Sequence, residues 1–332
     1  MSRYAALLAC ALAAATAAFA NDSVAEMAAG GLVLRQSGDI DMVSEDLYVS
    51  AGRVRVGYVF RNRSPRPITT IVAFPMPDRE LALEYESEIS YPGDFRTIVE
   101  GRTVRMSVER RAMARGVDQS ALLARLHIPI APAGDDTVAA LGEAIARLPR
   151  AEQARLARLG LIDAESFSAP AGQIVPAWTV RESWYWRQAF PAGRDLHVEH
   201  GYAPGVGGTA GVPLASLDYR NGENGRRERA DYCVENDFLA ALDRMTQRAQ
   251  RAGNGYPMEQ RVRYVLTTGG NWRAPIGDFR LVVDKGRAEA IVSFCGQGVR
   301  RISPTRFEVR HRNWRPDRDL AVLIVSAEPQ RE

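Results

Sequence analysis

Tyr264-Val-Leu-Thr-Thr-Gly-Gly-Asn-Trp-Arg-Ala-Pro-Ile-Gly-Asp-Phe-Arg-Leu-Val-Val-Asp-Lys-Gly286 reads as a strand, a turn-rich loop and then strand character that continues to Cys295. Cys233 and Cys295 bracket this stretch and are the only cysteines beyond the N-terminal leader. They lack the Cys-x-x-Cys spacing of thiol redox chemistry. In an oxidising compartment an isolated pair is more often a bridge than a metal site. One covalent clasp is therefore expected to tie a helix beginning near Cys233 to the sheet that ends at Cys295. Closing a loop of this length stabilises a fold by roughly 4 kcal/mol in the chain-entropy model.

The oxidising compartment follows from the N-terminus. Arg3 gives a positive start, Ala5 to Ala18 form an apolar run, and Ala18-Phe19-Ala20 places small residues at the two positions a leader peptidase reads. Cleavage is expected before Asn21. The run is too short and alanine-rich for a lasting membrane span, and no other segment approaches spanning length. Leu7-Leu-Ala-Cys10 spells a lipoprotein box, but the apolar run continues well past Cys10. A periplasmic or secreted chain is the expectation.

Composition excludes some classes. The chain of 332 residues is 46% hydrophobic and 25% charged, ordinary for a globular protein, with a formal charge of +3. Lys285 is the only lysine, so the basic charge is almost all arginine. No basic stripe interleaves with aromatics, which argues against nucleic-acid binding.

Outward from the opening stretch, alternation dominates. Val54, Val56, Tyr58 and Phe60 alternate with polar or small residues, as in a half-buried strand. Ser64-Pro-Arg-Pro67 turns the chain, and Ile68 to Phe74 reads as the partner strand. Leu81 to Ile89 alternates again, with Glu84, Glu86 and Glu88 on its wet face. Tyr91-Pro-Gly-Asp94 is a turn, and Thr103 to Glu109 a further strand. Residues 30–110 thus predict an antiparallel meander or sandwich. The period then changes. Helices are expected over Leu122–Leu126 (capped by Asp118), Val138–Leu148 (capped by Asp135 or Asp136) and Ala151–Leu159, which ends at Gly160. Ala169-Pro-Ala-Gly172 is the exit linker. Trp178, Val180, Glu182, Trp184 and Trp186 share one parity on a strand and read as core. Asn221 to Arg229 reads as a charged loop, and Asp231 to Gly253 as one helix. Strands follow near Arg261–Thr267, Asp278–Asp284, Ala290–Cys295, Thr305–Arg310 and Leu320–Val325.

The expected fold is mainly β (α+β): antiparallel, sandwich-like sheets with an inserted helical subdomain and one further helix clasped by the disulfide. The expected divisions are a leader over 1–20, a β region over 21–112, a helical insertion over 113–168, and a second β region over 169–332 carrying helix 233–252.

Chemistry-bearing motifs are sparse. Asp39, Asp41, Glu45 and Asp46 lack the ligand order of a calcium loop and read as a solvated acidic loop. His197 and His200 stand three apart on a strand, facing opposite sides, so they cannot share a metal. Gly205-Val-Gly-Gly-Thr-Ala-Gly211 lacks the ending of a phosphate loop, and no nucleophile elbow occurs. No metal or cofactor is expected, and no catalytic residue is assigned. The loop Thr268 to Pro275 is the candidate contact site through Asn271, Trp272 and Arg273. It is longer than a tight hairpin needs, and it sits on a scaffold stiffened by the disulfide. The alternative for Trp272 is an indole folded inward that plugs the end of the sandwich.

Asn21-Asp-Ser-Val-Ala-Glu26, Ser44-Glu-Asp-Leu47, Val72-Ala-Phe-Pro-Met-Pro-Asp78, Phe190-Pro-Ala-Gly193, Tyr264 to Gly286 and Val292-Ser-Phe-Cys-Gly296 together resemble an exported bacterial family, domain of unknown function 4424. That resemblance implies an exported protein, and it supplies no catalytic residues. Tyr58-Val-Phe-Arg-Asn62 followed by Phe74-Pro-Met-Pro77 is also similar to the first strands of vault and inter-alpha-trypsin type β domains, a hint of sandwich form. The functional expectation is a non-catalytic binding or envelope-associated protein whose partner is an envelope component or a glycan. The alternative is a glycan hydrolase using paired carboxylates among Asp278, Glu199 and Asp46, which would have to face one cleft roughly 5 to 9 Å apart.

Overall fold

The computed structural model describes residues 21–28, 31–84, 95–132, 137–168, 173–207, 211–252 and 256–327. The leader with Cys10, Glu86 and Glu88, the turn at 91–94, the caps Asp135 and Asp136, and the linker at 169–172 lie outside them.

In chain order the strands are β1 (Ser23–Ala28), β2 (Gly31–Arg35), β3 (Ile40–Val49), β4 (Val54–Asn62), β5 (Ile68–Pro75) and β6 (Arg79–Glu80). Next come β7 (Arg96–Val99), β8 (Arg102–Val104), β9 (Ser107–Ala114), β10 (Val117–Asp118), β11 (Thr179–Phe190) and β12 (Asp195–Tyr202). The last are β13 (Met258–Tyr264), β14 (Ile276–Asp284), β15 (Ile291–Phe294), β16 (Arg300–Arg301), β17 (Arg306–Trp314) and β18 (Leu320–Ser326). One sheet runs β10-β9-β11-β5-β1-β2, with β6 on β11. A second runs β16-β17-β14-β3-β4-β12-β7-β8, and a third β13-β18-β15. The fold is mainly β and largely antiparallel.

Alternation along each strand says which face is inside. In β4, Val54, Val56, Tyr58 and Phe60 are buried, and in β12 so are Leu196, Val198, His200 and Tyr202. They face Val72 and Phe74 of β5 and Trp186 and Phe190 of β11 to form the main core, which Val262 and Tyr264 of β13 and Val322 and Ile324 of β18 complete. Phe60 meets Phe190 edge-on at 6.0 Å between ring centres, which sews the two large sheets together. Each such fully buried aliphatic or aromatic side chain contributes about 1.5–3 kcal/mol.

Several expectations change. Ile68–Pro75 is not the hairpin partner of β4. It pairs with β11 and β1 in the other sheet, because Phe74 packs across the sandwich rather than beside its neighbour in sequence. The alternation from Leu81 begins as a short helix, Leu81–Glu84. Asp118 lies in β10 and accepts from the backbone N–H and hydroxyl of Ser120, while Gln119 stands at the cap of helix Ser120–Arg125. Residues 217–231 are two helices, Leu217–Asn221 and Glu223–Asp231. The second hides its inward face from hydrophobic periodicity, since that face carries Gly225 and Glu228, and Glu228 is neutralised by Arg261 at 2.8 Å. The helix expected from Asp231 breaks at Cys233, in the left-handed region at φ 49°, and restarts as Asn236–Ala252. Cys233 bonds Cys295 with Cα atoms 5.0 Å apart, holding that break against the end of β15.

Helices Ser120–Arg125, Val138–Ala146, Arg150–Leu159 and Ala164–Ser168 build a separate core around Leu123, Leu141, Ile145 and Leu156, seated on Trp178 and Val180 at the start of β11. The β strands before and after them share both large sheets.

One irregularity matters for the site. The β3–β4 register shifts between Met42 and Ser44, a bulge at Val43. Before it Ile40 and Met42 point inward; after it Glu45, Leu47 and Val49 do. The extra residue switches the parity of the strand and turns Glu45 into the core, at 1% exposure. Of the acidic run read as a solvated loop, Asp41, Glu45 and Asp46 therefore lie in a strand, with Glu45 turned into the core. Gly277 on β14 fits the bulge, since a Cβ there would stand 2.5 Å from the Val43 carbonyl oxygen.

Candidate functional site

Asn21, Asp22 and Ser23 are each fully buried, at 0% exposure. Ser23 opens β1, which pairs with β5 in one large sheet, and Asp22 just before it reaches His200 of the other. Three residues of the 264–286 stretch hold it there. The Thr268 hydroxyl donates to the Asn21 carbonyl at 2.7 Å, the Trp272 indole N–H to the Asp22 carbonyl at 2.8 Å, and the Asn271 amide to the Ser23 hydroxyl at 3.0 Å. Asp319 fixes the start of that loop by accepting from the backbone N–H groups of Leu266 and Thr267 and from the Thr267 hydroxyl. Gly269 lets the segment approach, because a Cβ would meet the Asn21 amide nitrogen and Ile276 at 2.9 Å each.

A sealed polar cluster surrounds the segment. The Asn21 amide donates to Glu45 Oε2 at 3.0 Å. His200 Nε2 lies 3.1 Å from both Asp22 oxygens, and its Nδ1 lies 2.8 Å from the Thr97 hydroxyl. A carboxylate only accepts, so Nε2 carries a proton toward Asp22, while Nδ1 and the Thr97 hydroxyl share the second bond of the ring. Tyr58 and Tyr264 share a hydrogen bond beside the cluster. Burial raises the Asp22 carboxyl, although the neighbouring His200 pulls it back. Burial pushes Glu45 up to about 8, the Asn21 bond opposing and the Asp22 charge adding. Glu45 Oε1 and Asn21 Oδ1 have no hydrogen-bond partner among the described residues.

The loop expected to meet an outside molecule thus gives polar groups of Thr268, Asn271 and Trp272 to residues 21–23 of its own chain. The Trp272 indole is 2% exposed and packs on Phe60 at 4.5 Å, the inward alternative. Asn271 is half-buried, while Arg273 is exposed and pairs with Asp41 at 2.7 Å. Burial pushes Asp41 up, but its bonds to Arg273 and Arg63 outweigh this and hold the carboxyl below its usual range.

Of the two histidines, His197 points to solvent beside Glu100 and His200 points inward. Asp46, Glu199 and Asp278 all stand exposed on the outer face of the eight-stranded sheet. Gly57 pairs with Asp46 on one side and Glu199 on the other, so these two carboxylates flank it at about 10 Å between backbones, two strand spacings. Arg280 binds Asp46 at 3.2 Å. Surface depressions of about 420 Å³ beside Val234 and Asn236 and about 460 Å³ beside Val212 and Tyr256 touch neither group.

Sequence reasoning missed Asp22, Glu45, Thr97 and Asp319. His200 alone left a signal: it shares its strand face with Leu196, Val198 and Tyr202, a single polar group in an apolar row.

The model of the family described as domain of unknown function (DUF4424) matches residues 20–323. The chain belongs to the DUF4424 family. No curated protein matches this DUF4424 chain by sequence. Among solved structures, a candidate nutrient-binding protein from Legionella pneumophila is similar at 15% identity and TM-score 0.43, over 92% of this chain and 70% of its own. The M1 zinc metallopeptidase of Deinococcus radiodurans is similar at 9% identity and TM-score 0.25, over 87% of this chain and 43% of its own. A two-domain M1 zinc metallopeptidase variant bound to L-tryptophan gives 12% identity and TM-score 0.23, over 87% and 44%. The chain spans less than half the length of these two peptidases, and at such scores the likenesses carry no functional argument.

Proposed function

We propose that this DUF4424 chain is exported, matured before Asn21, and acts as a non-catalytic binding or envelope-associated protein. One observation carries the reading. The polar constellation most like catalytic machinery, Asp22–His200–Thr97, is sealed between the sheets, with the His200 and Asp22 side chains at 0% exposure. A general base must reach its substrate within hydrogen-bond distance; here each ring nitrogen is already taken by the fold. The disulfide fits an oxidising compartment. No described helix is long and apolar enough to cross a membrane.

The second reading, a glycan hydrolase, draws on Asp46 and Glu199 flanking Gly57 on one sheet face. Incubation of the purified protein with envelope glycans separates the two. Binding with no new reducing ends is expected. Reducing ends that disappear in Glu199→Gln would overturn the non-catalytic reading.

A further inference from the structure

We infer that the interior between β3 and the 267–272 loop is a binding site for a free N-terminus. It receives the α-ammonium of Asn21, with the Glu45 carboxylate as counter-charge. This rests on the reading above that the chain is exported and cleaved before Asn21. Hydrolysis of the Ala20–Asn21 amide consumes one water, leaves a carboxylate on Ala20, and leaves an amine on Asn21 that takes up a proton near neutral pH.

Four observations converge. The expected first mature residue is fully buried in the 332-residue chain, although chain ends ordinarily lie at the surface. The segment is gripped at three successive residues by Thr268, Trp272 and Asn271, as a bound peptide would be. Two acceptors here, Glu45 Oε1 and Asn21 Oδ1, lack donors among the described residues. A buried acceptor left without a donor is destabilising, and an ammonium brings three N–H donors to one point. The charge balance is also short of a cation. Asp22 has His200, whereas no arginine pairs with Glu45 among the described residues, and the cluster's other neighbours are Tyr58, Tyr264 and Thr97. Buried charges are paired or they neutralise. In an uncleaved chain Glu45 must keep a proton; in a cleaved one the ammonium supplies the missing charge. Maturation would then complete the core.

The sequence makes the test clean. Lys285 is the only lysine, so a chain beginning at Asn21 has just two primary amines. Such a chain, prepared by removing an N-terminal fusion, is treated at neutral pH with an amine-acylating reagent, and each site is read by peptide mass. The Asn21 amine is expected to label at least about tenfold more slowly in the folded than in the urea-unfolded chain, with Lys285 as internal reference. Equal rates would overturn the proposal. Glu45→Gln is expected to speed labelling at Asn21 and not at Lys285. Should that variant fail to fold, a chain with one glycine before Asn21 serves instead: a lower urea midpoint supports the site, and an unchanged one overturns it. The N-terminal mass of the exported protein reads the cleavage separately. A different first residue overturns the maturation reading and the site's natural ligand with it. A start at Asn21 with a freely labelled amine overturns the site alone.

Discussion

The hydroxyls of Tyr58 and Tyr264 meet at 2.8 Å across 206 residues of sequence, joining the eight-stranded sheet to the three-stranded one inside the core. Both phenols are fully buried, and burial raises both well above the usual tyrosine range. Tyr264→Phe leaves the Tyr58 hydroxyl without that partner and is expected to cost about 1–3 kcal/mol. Replacing both with Phe is expected to recover part of the loss. Urea unfolding of the two single variants and the double one measures the coupling; additive losses would show that the bond contributes nothing.

Asp22 and His200 form the buried ion-pair candidate of the same region. Removing one partner of a buried pair strands the other, so Asp22→Ala is expected to lose about 3–5 kcal/mol. Chemical denaturation gives the value, and a loss below 1 kcal/mol would mean that water reaches the imidazole.

Two carboxylates predict opposite pH responses. In a chain extended upstream of Asn21, Glu45 is held at about 8 against an unfolded value of 4.5. Between those values the folded state keeps a proton the unfolded state releases, so stability falls as pH rises through this window. Glu45→Gln should flatten that slope. Glu308 is held down at about 2 by hydrogen bonds from Arg280, Arg310 and Arg300. Its contribution is present above about 4.5 and is lost as pH falls toward 2. Glu308→Gln should weaken the acid limb alone, as read by thermal melts across pH.

The disulfide closes a loop of 62 residues. Paired Cys233→Ser and Cys295→Ser replacement is expected to cost up to about 4 kcal/mol. Part of the effect should appear as local loosening of helix Asn236–Ala252, seen as faster amide exchange there than in β4. Uniform loosening of both elements would show that the bridge acts only on the unfolded chain.

Trp272 anchors the N-terminal segment through one indole hydrogen bond and a filled volume. Trp272→Phe should cost less than Trp272→Ala, for which about 3–5 kcal/mol is expected. Both should expose residues 21–23 to proteolysis. Asn271→Ala, which removes the bond to Ser23, should do so more mildly. Protection unchanged in all three would separate the loop from the segment.

The sequence by itself determined whatever is local or counted. Period-two alternation marked β4 and the strand of tryptophans, because strand side chains alternate faces wherever the strand lies. Two cysteines beyond residue 20 left one pairing. Period-3.6 spacing found the helices around Leu123, Ile145 and Leu156, but not helix Glu223–Asp231, whose inner face is charged and paired with a distant Arg261. Only the tertiary structure decided which strands share a sheet. The parallel pairing of β3 with β14 joins segments more than 200 residues apart, and no local pattern encodes that choice. It decided the site as well. A bulge at Val43 reverses the parity of β3, so the same carboxylate that reads as solvated is turned inside. The loop that reads as a contact surface gives three hydrogen bonds to residues 21–23 of its own chain. Burial is a property of the packed whole, and a one-residue slip in one strand is enough to move a charge from water to core.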